Sequence, residues 1–139
     1  MAHPYHHAVS SAQKYGGEPE EYLALHDWID ASKSHMADFR HRALRHHSEG
    51  IFMLESLFGS TITLSTGRIL PVRFIGEQHI LEDLGRIPTV ADWLGKIQPE
   101  PWMLGKDRQK VEQDLSATTG DTPGHLQPSP SPALDPPLT

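Results

Sequence analysis

The chain has 139 residues, no cysteine and a formal net charge of −6, from 18 Asp and Glu against 12 Lys and Arg. Those values exclude a disulfide framework and a thiolate metal site, and they argue against nucleic acid as a partner, since that binding needs a basic surface. No apolar run approaches the roughly 18 residues of a membrane span, and no charged-then-apolar leader is recognisable, so no membrane association and a cytoplasmic location are expected.

In chain order, residues 8 to 15 read as a short helix stopped by Gly16-Gly17. Glu18-Pro19-Glu20-Glu21 places proline and acids where a helix start favours them. From Tyr22 to Phe58 the pattern is mainly helical, in two or more helices. At about 100° per residue, Met36, Phe39, Ala43, Gly50 and Leu54 share one arc, with His46 and His47 at its opposite margins. Gly59 is a natural stop. Thr61–Leu64 and Ile69–Phe74 read as a hairpin joined by Ser65-Thr66-Gly67-Arg68, with Pro71 consigning the second strand to an edge or a break. Helical spacing resumes over Glu77–Leu84 and ends at Gly85. Thr89, with Asp92 three residues on, caps a last helix that buries Trp93, Leu94 and Ile97. Six of the 12 prolines fall after Glu112, among Ser and Thr and no aromatic residue, in a stretch unable to offset its ordering entropy. The expected fold class is therefore mainly α with a small β-hairpin (α+β). It comprises a single compact histidine-rich helical domain over residues 1–104 and a disordered Pro/Ser-rich tail over 105–139.

Histidine is the over-represented residue, with ten copies, nine of them before residue 80. Imidazole is the commonest metal ligand and titrates near neutrality, so this density points to a polar, metal-bearing centre. In and just before Arg40–Gly50, His35, Arg42 and His46 project within about 40° of one another on a continuous helix. His35 and His46 would then lie roughly 16 Å apart along the axis, too far to share an ion. His46 and Glu49, at i and i+3, are close enough to do so. The plainer reading of the same stretch is a salt-bridged face with Asp38 pairing Arg42. Arg40, Arg42 and Arg45 together form a candidate anion patch.

The His26-Asp27 doublet has the form used by metal-dependent phosphohydrolases of the HD class, for which His6 or His7 upstream and Asp83 or Asp92 downstream would complete the set. The alternative is a local hydrogen bond from His26, at a helix start or to Asp30. His79 carries carboxylates at i+3 (Glu82) and i+4 (Asp83), the second spacing allowing both to face one ion or the acid to orient the ring. No H-E-x-x-H, phosphate loop, G-x-G-x-x-G or G-x-S-x-G signature occurs.

Several stretches are jointly distinctive: Met1–Ser11, His26-Asp-Trp-Ile-Asp30, Asp38–His47, Glu49-Gly-Ile-Phe52, Gly76-Glu-Gln-His79, Glu82-Asp-Leu-Gly85 and Ile87–Leu94. Together they resemble an uncharacterised family of short bacterial and bacteriophage proteins, a domain of unknown function. The resemblance spans about residues 1 to 103. It implies that the folded unit ends near Met103, and it transfers no activity.

The leading expectation is a small protein binding a divalent transition metal (Zn, Mn, Fe or Ni), with a metal-dependent hydrolase of phosphorylated or nucleotide substrates as its sharper form. The candidate ligands are His6, His7, His26, Asp27, His35, His46, Glu49, His79 and Asp83, with Arg40, Arg42 and Arg45 for anions. The competing expectation is a non-enzymatic phage or bacterial interaction protein whose His/Arg network is structural. Sequence names no partner and leaves homo-oligomerisation open.

Overall fold

Proline and histidine together start the first helix. Pro4 occupies the first position of α1 (Pro4–Tyr15), where a missing N–H is not needed, and His3 Nδ1 accepts the Tyr5 N–H at 3.0 Å. The helix thus begins four residues before the expected residue 8, and stops as expected at Gly16 (φ 96°). The computed structural model describes residues 3–106, which divide into two units between Ile97 and Gln98. The tail expected from residue 105 lies, beyond Lys106, outside the described residues.

After a single 3-10 turn (Pro19–Glu21), α2 spans Leu23–Asp30. The chain then breaks up: 3-10 turns over Ala31–Ser34 and Phe39–His41, a one-turn α3 (Arg42–Arg45), and α4 (Ser48–Phe58). The expected continuous arc therefore fails, and Met36 and Phe39 are 41% and 60% exposed. Asp38 supplies a physical reason: its carboxylate accepts the Arg40 N–H and caps a new turn.

The hairpin pairs β1 (Thr61–Thr63) with β2 (Ile69–Pro71), antiparallel, Ile62 opposite Leu70. The strand ends at Pro71, and the next helix begins at once. That helix, α5, runs over Val72–Leu84, five residues longer at its start than the expected Glu77–Leu84. α6 (Val90–Leu94) has the expected Thr89/Asp92 capping box. Leu94 and Ile97, expected inside, are 50% and 51% exposed. The chain is thus mainly helical with one small hairpin, as its pattern foretold. The second unit contains a 3-10 turn, Pro101–Leu104.

The apolar core joins Ala8 of α1, Tyr22, Leu25 and Ile29 of the α2 region, Leu54 of α4, Leu64 and Leu70 of the hairpin, and Val72 and Ile75 of α5. Close approach of α4 and α5 is allowed by Gly76, where a Cβ would stand 3.2 Å from side-chain atoms of both Ile51 and Leu54. Apolar contact thus holds α1, α2, α4 and α5 together along one side. Ile51 and Ile80 are buried as well, and the inward-facing polar residues of α1, α2 and α5 define the site.

Candidate metal centre

Each contributing helix buries a polar pair one turn apart. On α1, His7 and Ser11 face inward with Ala8; on α2, His26 and Asp30 do so with Leu25 and Ile29; α5 turns Gln78 and His79 inward, with Asp83 one turn on. Residues at i and i+4 lie on the same helical face, so each pair projects into the same space. His46 arrives from the break between α3 and α4, where its backbone leaves the helix (φ −90°, ψ 67°). It is held from the α6 side, with Trp93 Nε1–H donating to its carbonyl at 3.0 Å and the neighbouring Ser48 N–H donating to the Pro88 carbonyl at 2.8 Å.

Four side chains converge. Nε2 of His46 lies 3.0 Å from Asp83 Oδ2 and 3.4 Å from Asp30 Oδ1; Nε2 of His79 lies 3.3 Å and 3.2 Å from the same two atoms. All four residues offer a ligand atom within 4.8 Å of one another, and the group could hold a metal ion. Bonds of about 2.0–2.1 Å to a tetrahedral ion give ligand–ligand edges of about 3.3 Å, so the four N···O separations match an N2O2 site. Two carboxylates and two neutral imidazoles would also balance a divalent charge. All four side chains are at most 3% exposed.

Other imidazoles pack around this group. The His7 ring stacks on His79 with centroids 3.8 Å apart, and His26 stacks on His79 at 5.1 Å. His7 Nδ1 lies 2.7 Å from Glu82 Oε1, and its Nε2 lies 3.3 Å from Asp83 Oδ1. His41, hydrogen-bonded to Ser32 Oγ at 2.8 Å, meets His46 edge-on at 5.4 Å. Arg42 reaches within 4.0 Å of Asp83 Oδ1, with its Nε buried and without an acceptor among the described residues.

The electrostatics follow from this crowding. Burial acts to raise the pKa of Asp30 and Asp83, but hydrogen bonds from His46 and His79, and for Asp83 also His7, outweigh it and hold both well below the carboxylate range. Burial likewise acts to lower His7 and His46, yet their carboxylate neighbours raise both above the ordinary value. His26, packed among other imidazoles and without a carboxylate against it, is pushed by burial down to about 2. The centre is an anionic focus wrapped in imidazole, with one ring kept neutral behind it.

Of the residues nominated from sequence, His7, His26, His46, His79 and Asp83 are brought together here, while His6, Asp27, His35 and Glu49 are not. His6 is exposed because α1 turns His7 and Ala8 inward and the preceding position points elsewhere. Asp27 is exposed for the same reason on α2; the buried acid on the His26 face is Asp30, one turn later, so the two side chains of the His-Asp doublet do not face one space. His35 is exposed in the irregular stretch before α3. Glu49, expected to share an ion with His46, is separated from it by the break before α4 and instead accepts the Val90 N–H at 2.8 Å. Two of the three arginines are engaged structurally. Arg40 is paired with Asp38 at 2.7 Å, and Arg45 donates to the Trp28 carbonyl and lies over the Trp28 ring at 4.2 Å. Only Arg42 of the three reaches the centre.

His47, sequence neighbour of His46, caps α4: its Nδ1 accepts the Gly50 N–H at 2.9 Å and its Nε2–H donates to the Ala43 carbonyl at 3.0 Å. Asp30 as a ligand, and Ser11 and Gln78 behind the rings, were not singled out from the sequence. The repeated i, i+4 polar pairs on three helices are the signal that finds them.

Residues 2–103 match the model of a family described as a domain of unknown function (DUF6915). No curated protein and no solved structure matches the chain.

Proposed function

The chain belongs to the DUF6915 family, and we propose that its His/Asp cluster binds a divalent transition-metal ion through His46, His79, Asp30 and Asp83. The observation that carries this reading is the convergence, within 4.8 Å, of two Nε2 atoms and two carboxylate oxygens on side chains at most 3% exposed, with Lys33 and Arg42 no nearer than 3.9 Å and 4.0 Å to their carboxylates. Nitrogen and oxygen donors without sulfur suit zinc, manganese, iron or nickel equally.

The sharper form of the proposal is hydrolysis of a phosphorylated or nucleotide substrate. A divalent ion would supply Lewis acidity. Arg42 favours this reading over a purely structural network: its buried Nε has no acceptor among the described residues, a state that an anion beside Asp83 would satisfy. In that role Arg42 would meet charge developing on a phosphoryl oxygen, and Asp83 would orient the guanidinium. Glu82, at the rim, would hold His7 by its Nδ1–H.

Elemental analysis of the full chain purified without an affinity tag tests the first claim. About one equivalent of metal is expected, lost in His46→Ala and His79→Ala and kept in His6→Ala and His35→Ala. A folded wild type that stays metal-free after incubation with zinc, manganese, iron and nickel would overturn it, and would favour the interaction-protein reading. Turnover of p-nitrophenyl phosphate or its bis ester that needs added metal and drops at least tenfold in Arg42→Ala is expected for the sharper form. Loss of that turnover in none of the ligand variants would refute it.

A further inference from the structure

His79 can face an ion only if its Nε2 carries no proton, and the hydrogen bonds behind the ring decide this. The reasoning begins at Gln78. Its Nε2 is 3.1 Å from the His7 carbonyl and 3.0 Å from Glu82 Oε2, two acceptors, so that end must be the NH2 group. Its Oε1 is therefore an acceptor, 2.6 Å from Ser11 Oγ. The His7 carbonyl lies 3.1 Å from the same hydroxyl, so Ser11 must donate its single hydrogen to one of two pure acceptors, Gln78 Oε1 being the nearer. With that hydrogen committed, Ser11 Oγ can only accept from His26 Nε2, 2.8 Å away, so His26 carries its proton on Nε2.

The next link follows from burial. His26 is 0% exposed, and its ring nitrogens meet only Ser11 and His79, so no carboxylate supports a second proton on it. Its Nδ1 is consequently bare and accepts from His79 Nδ1 at 2.9 Å. His79 is thereby held with Nδ1 protonated. In the neutral ring its Nε2, 3.2 Å from Asp30 Oδ1 and 3.3 Å from Asp83 Oδ2, turns a lone pair toward two anionic oxygens. Such an arrangement needs a positive centre among the three groups, a metal ion or, without metal, a second proton on Nε2 that bonds the carboxylates.

We infer that Gln78, Ser11 and His26 form a hydrogen-bond relay that fixes His79 in the Nδ1–H tautomer and so prepares its Nε2 for metal. The inference rests on the metal-binding reading above and adds the residues that make His79 a ligand. None of the three touches the ion; they are positioning residues, comparable in role to the groups that orient ligating histidines elsewhere. The same amide carries a second consequence. Gln78 N–H also steadies Glu82, which accepts a hydrogen bond from His7 Nδ1–H.

The test is long-range 1H–15N correlation of the ring nitrogens in the uniformly labelled full chain, with and without zinc, beside zinc affinities of Ser11→Ala and Ser11→Thr. In the zinc-loaded protein His79 is expected as Nδ1–H with Nε2 metal-bound, and His26 as Nε2–H with a bare Nδ1. Ser11→Ala removes the acceptor that holds His26, lets both rings invert, and is expected to weaken zinc binding 10- to 100-fold. Ser11→Thr, which keeps the hydroxyl, restores affinity. Finding His26 as Nδ1–H, or a folded Ser11→Ala that binds zinc within about twofold of wild type, overturns the relay while leaving the metal site standing. Should wild type bind no zinc, the metal reading falls, and the relay is still judged in the metal-free protein: His26 as Nε2–H supports it, and any other state of that ring rejects it.

Discussion

Replacing Asp83 by Asn keeps the shape of the centre and removes one charge, which separates a metal site from a structural knot. In the metal-free protein two effects oppose. The ligand atoms of the group lie within 4.8 Å of one another. Two carboxylates at that separation repel by about 3.5 kcal/mol at an effective dielectric of about 20, and Asn relieves this. Against that, the imidazole of His46 loses a charged acceptor 3.0 Å away, and a hydrogen bond to a charged group is worth about 1.5–3 kcal/mol. The terms nearly cancel, so metal-free Asp83→Asn should stay within about 2 kcal/mol of wild type.

With metal the balance changes. At free zinc 100-fold above the Kd, wild type should gain about 2.7 kcal/mol, or roughly 10–20 °C in Tm for a domain of this size. The Asn variant, lacking one of two anionic ligands, should gain less than about 0.5 kcal/mol under the same zinc concentration. Thermal unfolding followed by far-UV circular dichroism, in zinc-buffered and chelated solutions, reads both numbers. A variant that keeps the full zinc-dependent rise refutes the ligand assignment. A metal-free loss of 3–5 kcal/mol, the size expected when a buried charge is left unpaired, would instead mark Asp83 as a structural keystone.

Stability of the metal-free protein should depend on pH at both limbs. His7 and His46 have raised pKa values, so their contribution is complete below the ordinary 6.5 and is lost as pH rises through the raised values. Asp30 and Asp83 are depressed, so theirs is present above 3.8 and lost as pH falls further. His26, pushed down to about 2, and His41 and His47, also lowered, act the other way, losing stability as pH falls below the ordinary 6.5. A chelated sample should accordingly be most stable near that value, whereas zinc affinity should climb with pH because ligation needs unprotonated imidazole; a metal-free Tm that rises from pH 7 to 9 would contradict the first half. Gly50→Ala puts a Cβ 1.9 Å from the Arg45 carbonyl oxygen. It should cost at least about 1–3 kcal/mol in urea unfolding and weaken zinc binding by displacing His46; near-neutral behaviour would show that the turn is freer than described. Arg45→Lys loses the planar contact with Trp28 and should destabilise by about 1 kcal/mol. Trp fluorescence should change while zinc affinity does not, and an affinity loss above tenfold would tie Arg45 to the centre after all.

How much of this was written in the chain depends on the kind of pattern. Helix stops were legible, Gly16, Gly59 and Gly85 ending helices where expected, and the Thr89/Asp92 box begins one, whereas the starts at Pro4 and Val72 lie four and five residues before the expected ones. Phase was not. The arc through Met36 and Gly50 assumed an unbroken helix, and the Asp38 cap, together with the extended backbone of His47 (φ −161°), resets the rotation before α4. The burial of Met36 and Phe39 and the His46–Glu49 pair, both argued across those resets, failed with it.

Density misled for a related reason. The run Arg40–His47 holds three of the ten histidines, yet one caps α4, one packs against Ser32, and only His46 enters the centre. A buried polar site is built by residues that share a face, so the informative unit is the i, i+4 pair on a helix that is otherwise apolar inside. His7/Ser11, His26/Asp30 and His79/Asp83 each have that form, dispersed over 77 residues (7 to 83). Each alone is unremarkable, and only the apolar contacts among α1, α2 and α5 bring them into one space. Asp30 illustrates the point: as a neighbour in sequence it is one more surface acid, whereas at 3% exposure between two imidazoles it can persist only as an anion that is answered by positive charge. The centre therefore follows from the packing of helices whose registers were set locally, and a change that shifts one register, such as Gly50→Ala, should disturb the ligands without touching any of them.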